Sequence, residues 1–147
     1  MSTFDDLKTH TKDFMEMHWP RLSPEVPEWN DTRWTGTEPF SMPNYKWPGC
    51  YAFLDEKDQV AYIGVGVSRG GGLYPEHGIS RRVIARFRKE KGSNPPRYVP
   101  MKPYIKSVVT IGFEDCYCFY LAPALETYLI LKLNPPHNHH GTGRSNT

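Results

Sequence analysis

The sequence predicts an α+β fold in which helices flank a small antiparallel sheet of about three strands. Two apolar runs, 50–54 and 60–63, enclose a polar and turn-prone segment, and this pattern is typical of a β-hairpin. Residues 104–113 alternate between apolar and polar types and indicate a further strand. A helix is predicted over 123–133, because a proline suits its first turn and the run Asn-Pro-Pro at 134–136 ends it.

Two further elements lie at the start of the chain and before the last helix. Residues 3–18 are predicted to form an amphipathic helix, with Ser2 or Thr3 as its N-cap and two aspartates in its first turn. Residues 116–121 are predicted to form a short strand or extended segment. The buried stripe of the first helix is expected to comprise Phe4, Leu7, Thr11, Phe14, Met15 and His18.

The segment 20–48 is predicted to be an irregular arm that wraps the rest of the chain. It holds six prolines together with Trp29, Trp34, Phe40, Tyr45 and Trp47. Disordered linkers are poor in large aromatic residues, so we expect the indoles of the arm to be buried. The arm is predicted to cover a sheet edge, and contact with DNA or formation of a dimer are the alternatives.

Length and composition indicate one domain with a modest core. The chain has 147 residues, of which 38% are hydrophobic, and no apolar run approaches the length of a membrane span. We therefore expect a soluble protein with no membrane partner. The first residues lack the features of a secretory signal, and Cys50, Cys116 and Cys118 lack the paired spacing of a zinc site. These features predict reduced thiols and a cytoplasmic location.

Positive charge is concentrated in one segment of the chain. Between residues 81 and 106 there are nine basic residues and one acidic residue, Glu90, although the net charge of the whole chain is only +2. The positive electrostatic potential of such a segment favours the binding of a polyanion. The alternative interpretation is that these charges form a solvated helix face. A helix is predicted over 80–91, with Arg82 and Arg86 on the same side of it.

Two tripeptides in the predicted hairpin have a spacing that is found in a known family. Gly49-Cys50-Tyr51 and Tyr62-Ile63-Gly64 place their tyrosines eleven residues apart. Because side chains alternate along a strand, both phenols can face one side of the sheet. Downstream, Glu126 is followed by Leu-Ile at 129–130, then by Pro135 and Asn138.

These motifs, in this order, resemble the GIY-YIG nuclease domain, and the resemblance covers about residues 49–138. It divides the chain into an N-terminal helix and wrapping arm (1–48), a GIY-YIG-like domain (49–138) and a short, flexible tail (139–147). It implies an endonuclease that depends on Mg²⁺ or Mn²⁺ and hydrolyses phosphodiester bonds of DNA. A catalytically inactive nucleic-acid-binding module on the same scaffold is the alternative, and RNA is a further candidate substrate.

The resemblance also implies roles for single residues. Glu126 is expected to bind the metal and Arg82 to hold the scissile phosphate. Tyr51 and Tyr62 are the candidates for orienting and deprotonating water, with Tyr51 favoured, although a phenol needs a nearby cation to act as a base at neutral pH. Asn138 is expected to fix the end of the helix that bears the glutamate.

This sequence departs from the family pattern at two positions. Arg86 stands where a histidine or tyrosine is frequent, and a guanidinium cannot accept a proton near neutral pH. The lysine that commonly follows the second tripeptide is missing, since Val65 and Val67 occupy that neighbourhood. Arg86 is nevertheless predicted to support the site.

Specificity is expected to come from several parts of the chain or from a partner. A glycine-rich insertion at 65–78 carries Arg69 and His77 as candidate contacts to a phosphate or a proton. A homodimer or a protein partner is the alternative source of specificity. The residues predicted to bind nucleic acid are Arg69, Arg81, Arg88, Lys89, Lys91, Arg97 and Lys102.

Overall fold

A computed structural model describes residues 1–21, 25–67, 78–114 and 118–138 of the chain. Three helices and five strands are found in these ranges. In chain order they are α1 (Phe4–His18), β1 (Gly49–Leu54), β2 (Val60–Gly66), α2 (Ile79–Ile84), β3 (Phe87–Lys89), β4 (Tyr98–Pro100), β5 (Ser107–Gly112) and α3 (Leu121–Leu133).

The main sheet has three antiparallel strands in the order β2-β1-β5. Strands β1 and β2 form the predicted hairpin, in which Tyr51 pairs with Gly64 and Phe53 pairs with Tyr62. Strand β5 is the predicted third strand, although it is shorter than the segment 104–113. The α+β class and the three-stranded antiparallel sheet are therefore confirmed.

Helices α1 and α3 confirm two further predictions, except that His18 at the end of α1 is exposed and does not belong to the buried stripe. Thr3 caps α1, since its hydroxyl accepts a hydrogen bond from the Asp6 N–H and its own N–H donates to the Asp6 carboxylate. Helix α3 begins two residues before Pro123 and ends at Leu133, and its C-cap Asn134 adopts a left-handed conformation with φ of 48°. Leu125, Leu129 and Leu133 of this helix are buried, as the spacing predicts.

The two faces of the sheet contribute to different core clusters. Residues Cys50, Ala52 and Leu54 of β1 pack on one face with residues of α1 and α3. Tyr51 and Phe53 alternate with them and pack on the other face with residues of α2. The face bearing Tyr51 is the one on which the candidate site lies.

The arm covers the free edge of β5. Trp29 and Trp34 each form an isolated bridge to this strand, at Ile111 and Val108 respectively. The Trp34 N–H donates to the Val108 carbonyl over 3.0 Å, and the Val108 N–H donates back over 2.8 Å. Both indoles are buried as expected, whereas that of Trp47 is only partly buried. The expectation that the arm covers a sheet edge is confirmed. The arm supplies hydrogen-bond partners to backbone groups of β5 that would otherwise be unpaired.

The prediction of one helix over 80–91 is wrong, because α2 ends at Ile84. The chain turns after the helix, and Phe87 begins a strand whose ring packs on Trp34 at 5.5 Å between centroids. Pairing with β4 supplies backbone hydrogen bonds that a longer helix would have made internally. Tertiary burial of Phe87 thus outweighs the helical spacing of this segment.

The predicted strand over 116–121 is also wrong for the residues that the structure describes there. Residues 118–120 form a helical turn that leads directly into α3, and the Ala122 N–H donates to the Phe119 carbonyl. In the described ranges, no helix is both long enough and apolar enough to cross a membrane.

Candidate active site

Tyr51 and Tyr62 lie on the same face of the sheet, as predicted. Their ring centroids are 6.3 Å apart, and Phe53 packs against both rings, at 5.3 Å from Tyr51 and 5.5 Å from Tyr62. Only 3% of Tyr51 and 7% of Tyr62 is exposed. The two phenols therefore occupy fixed positions in a row of packed rings.

Gly64 makes room for the ring of Tyr51. A Cβ atom at this position would overlap Cζ and Oη of Tyr51 and would lie 2.7 Å from its Cε2. Such a distance is shorter than any real Cβ contact. The glycine of the second tripeptide thus allows the phenol of the first to lie across β2.

Two guanidinium groups approach the tyrosines from α2 and the residues after it. The Cζ atom of Arg86 lies 5.3 Å from the centroid of the Tyr62 ring. Burial raises the pKa of Tyr51 well above its ordinary value, and the neighbouring Tyr62 adds to this effect. The positive charges of Arg86 and Arg82 act in the opposite direction but do not outweigh burial.

Glu126 joins the cluster from α3. Its charge acts on the pKa of both Tyr51 and Cys50, which places it beside β1. Burial raises the pKa of the Glu126 carboxyl, and the positive charge of Arg82 partly offsets this effect. The fold therefore brings Tyr51, Tyr62 and Arg86 into contact. The charges of Arg82 and Glu126 act on Tyr51 and on each other, although these residues come from separate parts of the chain.

The Glu126 carboxylate has the character of a ligand for a hard cation. It is partly buried, and none of the described residues donates a hydrogen bond to it. Mg²⁺ in proteins commonly takes one or two carboxylates and completes its octahedron with water and phosphate oxygens. Within the described ranges there is no cluster of three or more His, Cys, Asp or Glu side chains, and Glu126 is the carboxylate predicted to hold a metal here.

Asn138 connects the segment after α3 to the hairpin. It is 2% exposed, its Oδ1 accepts a hydrogen bond from the Ile63 N–H over 2.9 Å, and its Nδ2 donates to the Ile63 carbonyl over 2.8 Å. The adjacent His137 N–H donates to the Ala61 carbonyl. These bonds fix the end of α3 against the strand that carries Tyr62.

Two residues that sequence reasoning did not assign to the site extend this row of rings. Tyr104 and His137 stack with centroids 3.7 Å apart and planes 8° apart. Burial raises the pKa of Tyr104. The charge of Arg86 lowers this pKa and Tyr62 raises it further, so Tyr104 interacts electrostatically with two residues of the candidate site. His137 is placed within the motif that ends at Asn138, which was its one signal, whereas nothing in the sequence pairs it with Tyr104.

The predicted nucleic-acid-binding residues that the structure describes are all exposed and lie on α2 or around β3 and β4. They are Arg81, Arg88, Lys89, Lys91, Arg97 and Lys102. Arg69 and His77 lie outside the described residues. A separate groove of about 510 Å³ lies between α1 and the arm and is lined by other residues, including Lys12 and Trp29.

Comparisons of the chain with protein-family models, with curated proteins and with solved structures found no match. The fold and the geometry of this chain are therefore the basis for interpreting the site. They define an α+β protein in which two phenols lie on one face of a three-stranded sheet beside Arg86, while the charges of Arg82 from α2 and of Glu126 from α3 also act on Tyr51.

Proposed function

We propose that this protein is a divalent-metal-dependent endonuclease of the GIY-YIG type that hydrolyses DNA phosphodiester bonds. One observation carries the proposal: the rings of Tyr51 and Tyr62 lie 6.3 Å apart on one face of the sheet, and Cζ of Arg86 lies 5.3 Å from the centroid of the Tyr62 ring. The charges of Arg82 and Glu126 also act on Tyr51. Tyr51, Tyr62, Arg82 and Glu126 are the residues to which the resemblance assigns catalytic roles. Phenols, guanidinium groups and a carboxylate near one another can supply the contacts that hydrolysis of a phosphodiester needs.

In this proposal the arginines bind the phosphate. Arg82 holds the scissile phosphate and stabilises the charge that develops in the transition state. A Mg²⁺ or Mn²⁺ ion held by Glu126 would neutralise further charge and assist the leaving oxygen. Arg86, stacked over Tyr62, provides a second cation and cannot serve as the base.

The tyrosines position the attacking water. The raised pKa of Tyr51 keeps its hydroxyl protonated at neutral pH, so this group orients water through hydrogen bonds. Proton abstraction by Tyr51 requires a further cation nearby, since its two arginine neighbours do not offset its burial. Tyr62 is the other candidate for that step.

The same observation favours a second candidate, a nucleic-acid-binding module without cleavage activity. A buried, protonated Tyr51 and an arginine in place of a proton acceptor both weaken general base catalysis. Binding of a phosphate by Arg82 and Arg86 requires neither group to lose a proton. The nuclease and the binding module would thus use the same binding surface and would differ only in whether DNA is cleaved.

Incubation of the purified protein with supercoiled plasmid and Mg²⁺ or Mn²⁺ separates them. We expect nicking that is lost in Glu126→Gln and retained in Glu56→Gln, a control carboxylate exposed in the β1–β2 turn. DNA binding without nicking in any divalent metal would support the module instead. Replacement of the plasmid by RNA tests the remaining substrate class.

A further inference from the structure

The β3–β4 hairpin is a second, two-stranded sheet beside the candidate site. Its pairs are Phe87 with Pro100, Arg88 with Val99 and Lys89 with Tyr98. The hairpin follows Arg86 directly, and the Met101 N–H donates to the Arg86 carbonyl over 3.0 Å. Both ends of the hairpin are therefore tied to the residue that lies over Tyr62.

The arm holds this hairpin from one side. Trp34 contacts the rings of Phe87 and Tyr98, with centroids 5.5 Å and 6.1 Å away. The Tyr98 N–H donates to the Gly36 carbonyl over 2.7 Å. A Cβ atom at Gly36 would lie 2.6 Å from the Tyr98 carbonyl oxygen, so a glycine is needed for this close approach. These contacts fix the orientation of the ribbon relative to the main sheet.

The rest of the hairpin surface is exposed and basic. Phe87 is buried, whereas Arg88 and Lys89, which follow it on β3, are exposed. Five basic residues, Arg88, Lys89, Lys91, Arg97 and Lys102, lie on or next to the hairpin, against one acidic residue, Glu90. Within the described ranges only Arg97 among them has an acidic partner, Glu90 at 3.9 Å. The charge of the others is thus open to an external anion.

We propose that the β3–β4 hairpin binds duplex DNA by lying in its major groove, next to the phosphate held by Arg82 and Arg86. This inference rests on the proposed function and assigns binding of the DNA substrate to the β3–β4 hairpin. The major groove of B-form DNA admits a two-stranded β-ribbon, and basic residues on such a ribbon reach the phosphates on both rims. Because Trp34 fixes the ribbon in advance, little order has to be gained on binding.

The test compares two double variants with equal loss of charge. Arg88→Gln/Lys89→Gln removes two hairpin charges, and Lys12→Gln/Lys57→Gln removes two exposed charges from α1 and the β1–β2 turn. Both are made in a Glu126→Gln background, so that binding is measured without cleavage. Fluorescence anisotropy with a duplex of about three helical turns is recorded over a series of salt concentrations.

We expect the hairpin variant to lose on the order of tenfold in affinity and about two units in the slope of log Kd against log salt, one for each phosphate contact. The control variant should change much less. An equal loss in both variants, or none in the hairpin variant, would overturn the proposal. Circular dichroism melting of each variant shows whether a loss of binding reflects unfolding.

Two modified substrates test the groove. Duplexes with bulky substituents on cytosine C5 fill the major groove and should weaken binding, whereas netropsin, which occupies the minor groove, should not. The opposite pattern, or equal affinity for duplex RNA with its narrow major groove, would overturn the proposal. A hairpin effect on binding, together with no plasmid nicking by the wild type, would contradict the nuclease assignment alone. Nicking that is unchanged by Arg88→Gln/Lys89→Gln in a chain that keeps Glu126 would contradict this inference alone.

Discussion

Replacement of Gly64 by alanine is expected to displace the Tyr51 phenol. The new Cβ would overlap Cζ and Oη of Tyr51 and would lie 2.7 Å from its Cε2, where ordinary contacts are 3.4–4 Å, so the ring must shift by at least about 1 Å. The ring is packed between its neighbours, and overpacking of this kind costs about 1–3 kcal/mol. For a chain of this size, that corresponds to a fall in Tm of about 3–10 °C.

Under the proposed function, a misplacement of about 1 Å should lower the rate of plasmid nicking by about a hundredfold. Nicking is measured well below the Tm of the variant, and unfolding is followed by circular dichroism. The double variant Tyr51→Leu/Gly64→Ala removes the ring that the new methyl group meets. Its free energy of unfolding should exceed the value expected from the two single variants by about 1 kcal/mol or more. Wild-type melting and wild-type nicking in Gly64→Ala would refute this account of the glycine.

Three further predictions concern single side chains. Burial raises the pKa of Glu126, so the native state favours its neutral form, and that stability is lost as pH rises through the raised pKa. Glu126→Gln should therefore raise the Tm at pH 7 and have less effect near pH 4, while Mn²⁺ should stabilise only the wild type. Asn138→Ala leaves the N–H and carbonyl of Ile63 without partners and should cost about 2–4 kcal/mol in urea unfolding. Thr3→Ala removes the cap of α1 and should cost about 1 kcal/mol in the same assay.

Strong local signals made the main hairpin, α1 and α3 predictable. The polar turn between two apolar runs defines the β1–β2 hairpin, and a capping threonine with an aspartate three residues later defines the start of α1. Both sequence patterns are contained within a few consecutive residues. The two tyrosines, once placed on paired strands, face one side of the sheet as a result of the turn.

Features that depend on distant residues were not predictable in the same way. Phe87 has helical spacing from Val83, yet α2 ends at Ile84, before Phe87 is reached. The Phe87 ring packs instead on Trp34, which lies 53 positions earlier in the chain. The stack of Tyr104 on His137 also joins residues that share no local pattern. In both cases the deciding contact forms only after the sheet and the arm have assembled.

The charges of the site favour an anion and a cation that bind together. When Glu126 is ionised, Arg82 and Arg86 leave the cluster with one net positive charge, which a single phosphodiester neutralises. Burial disfavours the charged forms of both Glu126 and Tyr51, and a divalent cation would reverse that preference for each. We therefore expect DNA to increase the affinity for Mn²⁺, and Mn²⁺ to increase the affinity for DNA by the same factor. Titration calorimetry with each in the presence of the other measures both factors, and independent binding would show that the carboxylate and the arginines do not act as one site.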